Sequence, residues 1–204
     1  MHLKNENEVL NILQKAAKAM ELDYDAKNYT CLKVSAEEFY LAILLVAPFE
    51  PYSKYGNNIG ERLLNKDNFF ASDVFNKLLR LGVAGTAFYQ NHPRTELVKK
   101  YVPELYQKIA LILETNKSLA MMYVPESMQT NEKFFRVLCH EYLHILLQLN
   151  HYDFKSEKEQ IIHLIESLIG TKPLKTQERL LSKYKKLPLV QKLHSSIVNK
   201  EFNK

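Results

Sequence analysis

The 204-residue chain is poor in several residue types, and each shortage removes a class of protein. Two cysteines, Cys31 and Cys139, cannot form the disulfide framework of a small secreted domain. Cys139 lies in an apolar segment where a buried free thiol is expected, which fits a reducing, cytoplasmic setting. Of 28 basic side chains only five are arginine, and the net charge of +5 is carried mainly by lysine. Nucleic-acid readers favour Arg for bidentate contacts to phosphate and guanine. Lysine on solvated helix faces is therefore the expectation, and nucleic-acid binding is not. The most apolar stretch, Tyr40 to Phe49, is much shorter than the roughly 20 residues a membrane helix needs. The polar start "MHLKNENEVL" has no apolar signal core, so secretion is not expected either. No internal repeat or low-complexity segment is present.

What the chain does have is apolar content of 46%, enough for a core, arranged mostly with helical period. Residues 5–21 read as an amphipathic helix. Ser35-Ala36-Glu37-Glu38 is a capping box opening a helix that Pro48 ends, and "PFEPYSKYGNN" is a loop. A helix is expected from Ser72-Asp73 through "VFNKLLRLGVAGTAFYQ", bent at Gly82 or Gly85. After the break at "NHPRT" a helix leads to Pro103, which opens the next. "SLAMMYVPES" is the best strand, closed by Pro125. A helix follows from about Thr130 to Leu149. Ser156-Glu157-Lys158-Glu159 is a second capping box, opening a helix that Gly170 closes. The fold class expected is α+β, predominantly helical with a small sheet. A helical portion would span 1–115 and a metal-binding portion 116–204, together forming one compact unit. The tail "SKYKKLPLVQKLHSSIVNKEFNK" is the most basic part and could meet an acidic partner.

The stretch "FFRVLCHEYLHILLQLN" contains His140-Glu141-Tyr142-Leu143-His144. Residues i and i+4 share a helix face, so His140 and His144 can bind one tetrahedral zinc. Glu141 then serves as the base that takes a proton from water, whose pKa zinc lowers to about 7. The flanks Val137, Leu138, Cys139, Ile145 and Leu146 are uncharged, as a buried site helix requires. The competing reading is a core helix whose histidines are merely hydrogen-bonded, an expensive filling for a core.

A third ligand must come from elsewhere. The helix continues about 9 Å beyond His144, the chain turns at 150–155, and a return of equal length from Ser156 ends near 162–163. His163 stands there. Glu159 and Glu166 lie one turn before and after it on nearly the same face. Either could bind zinc or orient a ligand histidine.

"VLCHEYLHIL" resembles the active-site helix of the zincin metallopeptidases, a likeness covering roughly Ser118 to Gly170. The metzincin continuation is absent, since Leu147 and Asn150 stand where Gly and His are required. The gluzincin branch takes its third ligand from a second helix, with eighteen residues between the second His and that ligand in its aminopeptidases. That position here is His163, where the family has Glu. The order expected is His163, then Glu166, then Glu159. The resemblance also implies that "LAMMYV" is an edge strand binding substrate backbone by strand addition. It implies a zinc-dependent peptidase or related amide hydrolase, with peptide or protein as substrate. The alternative is a non-catalytic zincin-like binding or regulatory protein. Tyr184 and His194 lie late enough to supply an oxyanion-stabilising donor.

Overall fold

The computed structural model describes residues 3–44, 59–80, 82–90, 93–115, 118–173 and 175–202. Its main elements in chain order are α1 (Glu6–Met20), β1 (Cys31–Val34), α2 (Ala36–Leu44), α3 (Ile59–Leu64), α4 (Lys66–Phe70), α5 (Asp73–Arg80), β2 (Ala84–Tyr89), α6 (Pro93–Tyr101), α7 (Pro103–Thr115), β3 (Ser118–Tyr123), α8 (Glu132–Leu149), α9 (Lys158–Leu168), α10 (Gln177–Tyr184) and α11 (Pro188–Val198). The class is α+β and predominantly helical. Pro48 and the loop 48–58 lie outside the described residues. Among the described residues no helix is long and apolar enough to cross a membrane.

The chain divides into two compact units, Thr30–Gln129 and the pair of segments Met1–Tyr29 and Thr130–Lys204. The division does not fall at 115/116. A cut there would separate β3 from both of its partner strands, which lie at 31–34 and 84–89.

The Thr30–Gln129 unit is built on a three-stranded sheet of order β1-β3-β2. β1 runs parallel to β3, with Cys31 opposite Ala120, and β2 runs antiparallel, with Thr86 opposite Met121. β3 is therefore the central strand, and Leu119 to Met122 are fully buried, as expected of a strand covered on both faces. This corrects the edge-strand expectation. Both sides of β3 are already hydrogen-bonded, so it has no free edge for a substrate strand.

The expected long helix after Ser72 is also corrected. It ends at Arg80, Gly82 takes φ 79°, and Ala84–Tyr89 pairs with β3 instead. Alternating burial at Thr86 and Phe88 marks a strand that helical periodicity hid. β1, too short to show a period, escaped the sequence reading altogether.

The first capping box forms as expected. Ser35 Oγ accepts from Glu38 N at 3.1 Å, and Ser35 N donates to Glu38 Oε2 at 2.9 Å. Ser35→Ala is expected to cost about 1 kcal/mol, read as a lowered midpoint in thermal unfolding.

In the other unit α1 packs on α8 and α11, while α9 packs on α8, α10 and α11. Tyr142 donates its hydroxyl proton to Glu6 at 2.5 Å. The Asn150 amide pairs with the Asp23 backbone, accepting at 2.8 Å and donating at 2.9 Å. Both contacts tie α1 to the helix that carries the histidines. The basic tail is part of this core: Tyr184, Leu189, Val190 and Leu193 are buried.

Helix α8 ends in a Schellman motif. His151 takes φ 61°, Tyr152 N reaches Leu147 O at 2.9 Å, and His151 N reaches Gln148 O at 3.0 Å. The chain therefore reverses sharply, and a second positive φ at Lys155 completes the turn into α9.

Candidate metal centre

α8 buries Leu138, Cys139, Tyr142, Leu143, Ile145, Leu146 and Leu147 completely. His140 and His144, with side chains 17% and 15% exposed, occupy its remaining face. Glu159, His163 and Glu166 follow at i, i+4 and i+7 along α9 and so share a face of that helix.

Three side chains from these two helices meet in a small triangle whose Glu159 corner is the whole carboxylate, one oxygen toward each histidine. His140 Nε2 and His144 Nε2 are 3.2 Å apart, Glu159 Oε1 lies 3.0 Å from His144 Nε2, and Glu159 Oε2 lies 3.4 Å from His140 Nε2. A tetrahedral zinc with bonds of 2.0–2.1 Å separates its ligand atoms by roughly 3.3 Å. Each nearest approach is thus close to a ligand–ligand separation, with a different Glu159 oxygen facing each histidine, and the donor set suits a divalent ion of zinc type.

Glu166 is placed differently. Its buried carboxylate, 2% exposed, puts one oxygen 2.8 Å from His163 Nδ1 and 3.2 Å from His140 Nδ1. His140, His163 and Glu166 form a second group dense enough to hold a metal. However, one oxygen reaching two ring nitrogens at these lengths is a hydrogen-bond pattern. It is the arrangement in which a carboxylate holds Nδ1 of a ligand histidine and aims Nε2 at the ion.

His163, expected first as third ligand, is brought beside His140, their ring centroids 5.2 Å apart, but its Nδ1 is turned to Glu166. The donor that meets both motif histidines is Glu159, one turn earlier. The second capping box gives way to this arrangement. α9 starts at Lys158 with no side-chain cap, and the Glu159 carboxylate reaches the histidines instead.

Glu141 is buried at 6% exposure, and its charge acts on His140. Tyr184 directs its hydroxyl to Gln160 at 2.7 Å and Glu157 at 3.3 Å, so it is engaged on α9. His151 forms the exit turn of α8. His194 lies on α11 and joins neither metal-capable group.

The electrostatics explain which groups carry protons in the metal-free protein. Burial pulls the His140 pKa down, but hydrogen bonds to Glu159 and Glu166 outweigh it and push it up to about 10. Burial dominates at His144 and lowers its pKa. One imidazolium and one neutral ring therefore share the Nε2 contact. Hydrogen bonds from both histidines hold the Glu159 carboxyl well below the usual carboxylate range. Burial raises Glu166, yet His140 and His163 bring it below its ordinary value. Burial and the Glu166 charge push the Cys139 thiol up to about 12, so it stays protonated and inert.

The His140 pKa lies above its unfolded value of about 6.5. Its contribution to the metal-free fold is present in full below that pH and is lost as pH rises through about 10. His144, lowered, contributes above about pH 6.5 and loses that contribution on acidification. A metal ion held by His140, His144 and Glu159 would displace the His140 proton. Zinc affinity is therefore expected to rise about tenfold per pH unit between pH 7 and 9. Chelator competition monitored across that range checks the slope, and a flat profile would contradict the assignment.

Beside His140, His163 and Glu166 opens a cleft of about 340 Å³. Its remaining lining includes Lys133, Arg136 and Lys172. The sequence reading passed over these residues, although Lys133, Arg136 and His140 recur at helical spacing on α8.

Comparison of the chain with models of known protein families, with curated proteins and with solved structures finds no match.

Proposed function

We propose that this protein is a zinc-dependent peptidase or related amide hydrolase of zincin type. It is gluzincin-like in drawing its third ligand, Glu159, from the helix after the motif. Fourteen residues, 145 to 158, separate that ligand from His144, fewer than the eighteen of the gluzincin aminopeptidases. The observation that carries the reading is the meeting of His140, His144 and the Glu159 carboxylate, with nearest donor separations of 3.0 to 3.4 Å and one Glu159 oxygen to each histidine.

When bound, zinc polarises a substrate carbonyl and brings the pKa of a water to about 7. The chain's own residues do the rest. With its proton displaced, His140 would join His144 in presenting a neutral Nε2, and Glu166 holds His140 in orientation through Nδ1. Glu141 accepts the proton of the attacking water and returns it to the leaving amine. Three protein donors are the pattern of catalytic zinc sites, whereas structural sites supply four. That favours a hydrolase over a non-catalytic zincin-like binding protein. The substrate is a peptide or protein. Two free thiols fit a reducing, cytoplasmic location.

Metal analysis of the purified protein tests the proposal. About one zinc per chain is expected after reconstitution, with hydrolysis of unstructured peptides that chelation stops. No zinc uptake at micromolar concentrations would sink it.

A further inference from the structure

The cleft beside the triangle has a charge pattern that the hydrolytic centre does not require. Lys133 and Arg136 come from α8 and Lys172 from beyond the end of α9, with His140 and His163 at the metal end. The one carboxylate in the lining, Glu166, is matched by His140 and His163, both within 3.2 Å. Arg136 spends two of its five N–H donors on Glu132, through Nε at 3.1 Å and Nη2 at 2.7 Å. That ion pair holds the guanidinium in place. With Glu132 set against Arg136, Lys133 and Lys172 still leave the balance of the cleft cationic. A concave surface lined by one sign of charge concentrates and orients ligands of the other sign.

The distances indicate what kind of anion fits. Arg136 is four residues before His140 on α8 and Lys133 is seven, so they lie about 6 and 10 Å along the helix axis from the ligand histidine. An extended peptide advances about 3.3 Å per residue. A negative group on a peptide whose scissile carbonyl sits at the triangle would meet these cations two to three residues away.

We propose that the cleft is a subsite for a peptide carboxylate, gripped by Lys133, Arg136 and Lys172, which makes the site selective for acidic peptides. This rests on the hydrolase reading for its register but not for its binding. Acidic side chains and a free C-terminus present the same carboxylate, and the test separates them.

The Glu141→Gln protein, chosen to stop turnover, is titrated at low salt with dansylated tetra-alanine peptides. One pair carries Glu or Gln at the third position with an amidated end. A second pair has a free or an amidated C-terminus. The carboxylate member of at least one pair is expected to bind about tenfold or more tightly. That advantage should fall below about twofold in the Lys133→Gln/Lys172→Gln double variant, whose exposed side chains lie outside the core. Which pair shows the preference identifies the carboxylate. Equal binding within both pairs, no measurable binding at millimolar peptide, or a preference that survives the double variant would overturn the proposal. Parallel assays with wild-type protein keep the two readings apart. Charge preference without cleavage leaves the subsite standing and removes the hydrolase. Cleavage without charge preference does the reverse.

Discussion

His140→Ala is expected to abolish zinc binding, from about one ion per chain to a small residual fraction, because a ligand and the contact that shares its proton are both lost. The more discriminating result lies on α9. Glu159→Gln removes the only carboxylate among the described residues that meets both motif histidines and should weaken zinc by more than about 100-fold. Its side chain is 60% exposed, so the fold should survive the change. Glu166→Gln alters the support of His140 and should cost about 10- to 100-fold. His163→Gln, whose Nδ1 is turned to Glu166 rather than to the motif histidines, should cost less than either. Competition with a chromogenic chelator gives the order directly. A His163→Gln loss equal to that of Glu159→Gln would transfer the third-ligand role to His163, whose ring already lies beside His140.

The second large effect is expected at Glu141. Gln has nearly the same shape as Glu but cannot accept the proton of an attacking water. Glu141→Gln should keep its zinc and lose hydrolytic rate by about 10²- to 10⁴-fold, the usual worth of a positioned general base. Zinc content and kcat/KM measured on one preparation make the point together. Equal loss of zinc and activity would mean that Glu141, buried at 6% exposure, supports the helix rather than the reaction. Retained zinc with retained turnover would remove Glu141 from the chemistry.

Parts of this protein are legible because they are local. The capping box at Ser35 and Glu38 names a helix start within four residues, and the hydrogen bonds are there. Pro103 opens α7, and Gly170 closes α9 through a backbone bond from Thr171 N to Glu166 O at 3.0 Å. Other parts were misread where local pattern competes with partners distant in sequence. Ala84–Tyr89 follows a helix and contains a helical repeat of apolar residues, but pairing with β3 decides its conformation. β3 read as a strand, but nothing within "SLAMMY" says that strands join it on both sides. The box at Ser156 and Glu159 has the right letters for a cap. The histidines of α8 draw the Glu159 carboxylate away, because charge-assisted contacts outweigh a cap at an exposed helix end.

The same division runs through the candidate centre. The i, i+4 geometry of His140 and His144 belongs to any α-helix, so the sequence alone determined that two imidazoles share a face with Glu141 next to the first. It also narrowed the third donor to one face of one helix, because Glu159, His163 and Glu166 recur at helical spacing. Which of them meets the pair depends on the register of α9 against α8. That register is set by the reversal through residues 150–157, where His151 and Lys155 both hold positive φ without being glycine. Such conformations are strained for L-residues in isolation and are held by surrounding contacts. No local pattern announces them, so only the tertiary structure could bring Glu159 to the triangle and turn His163 toward Glu166.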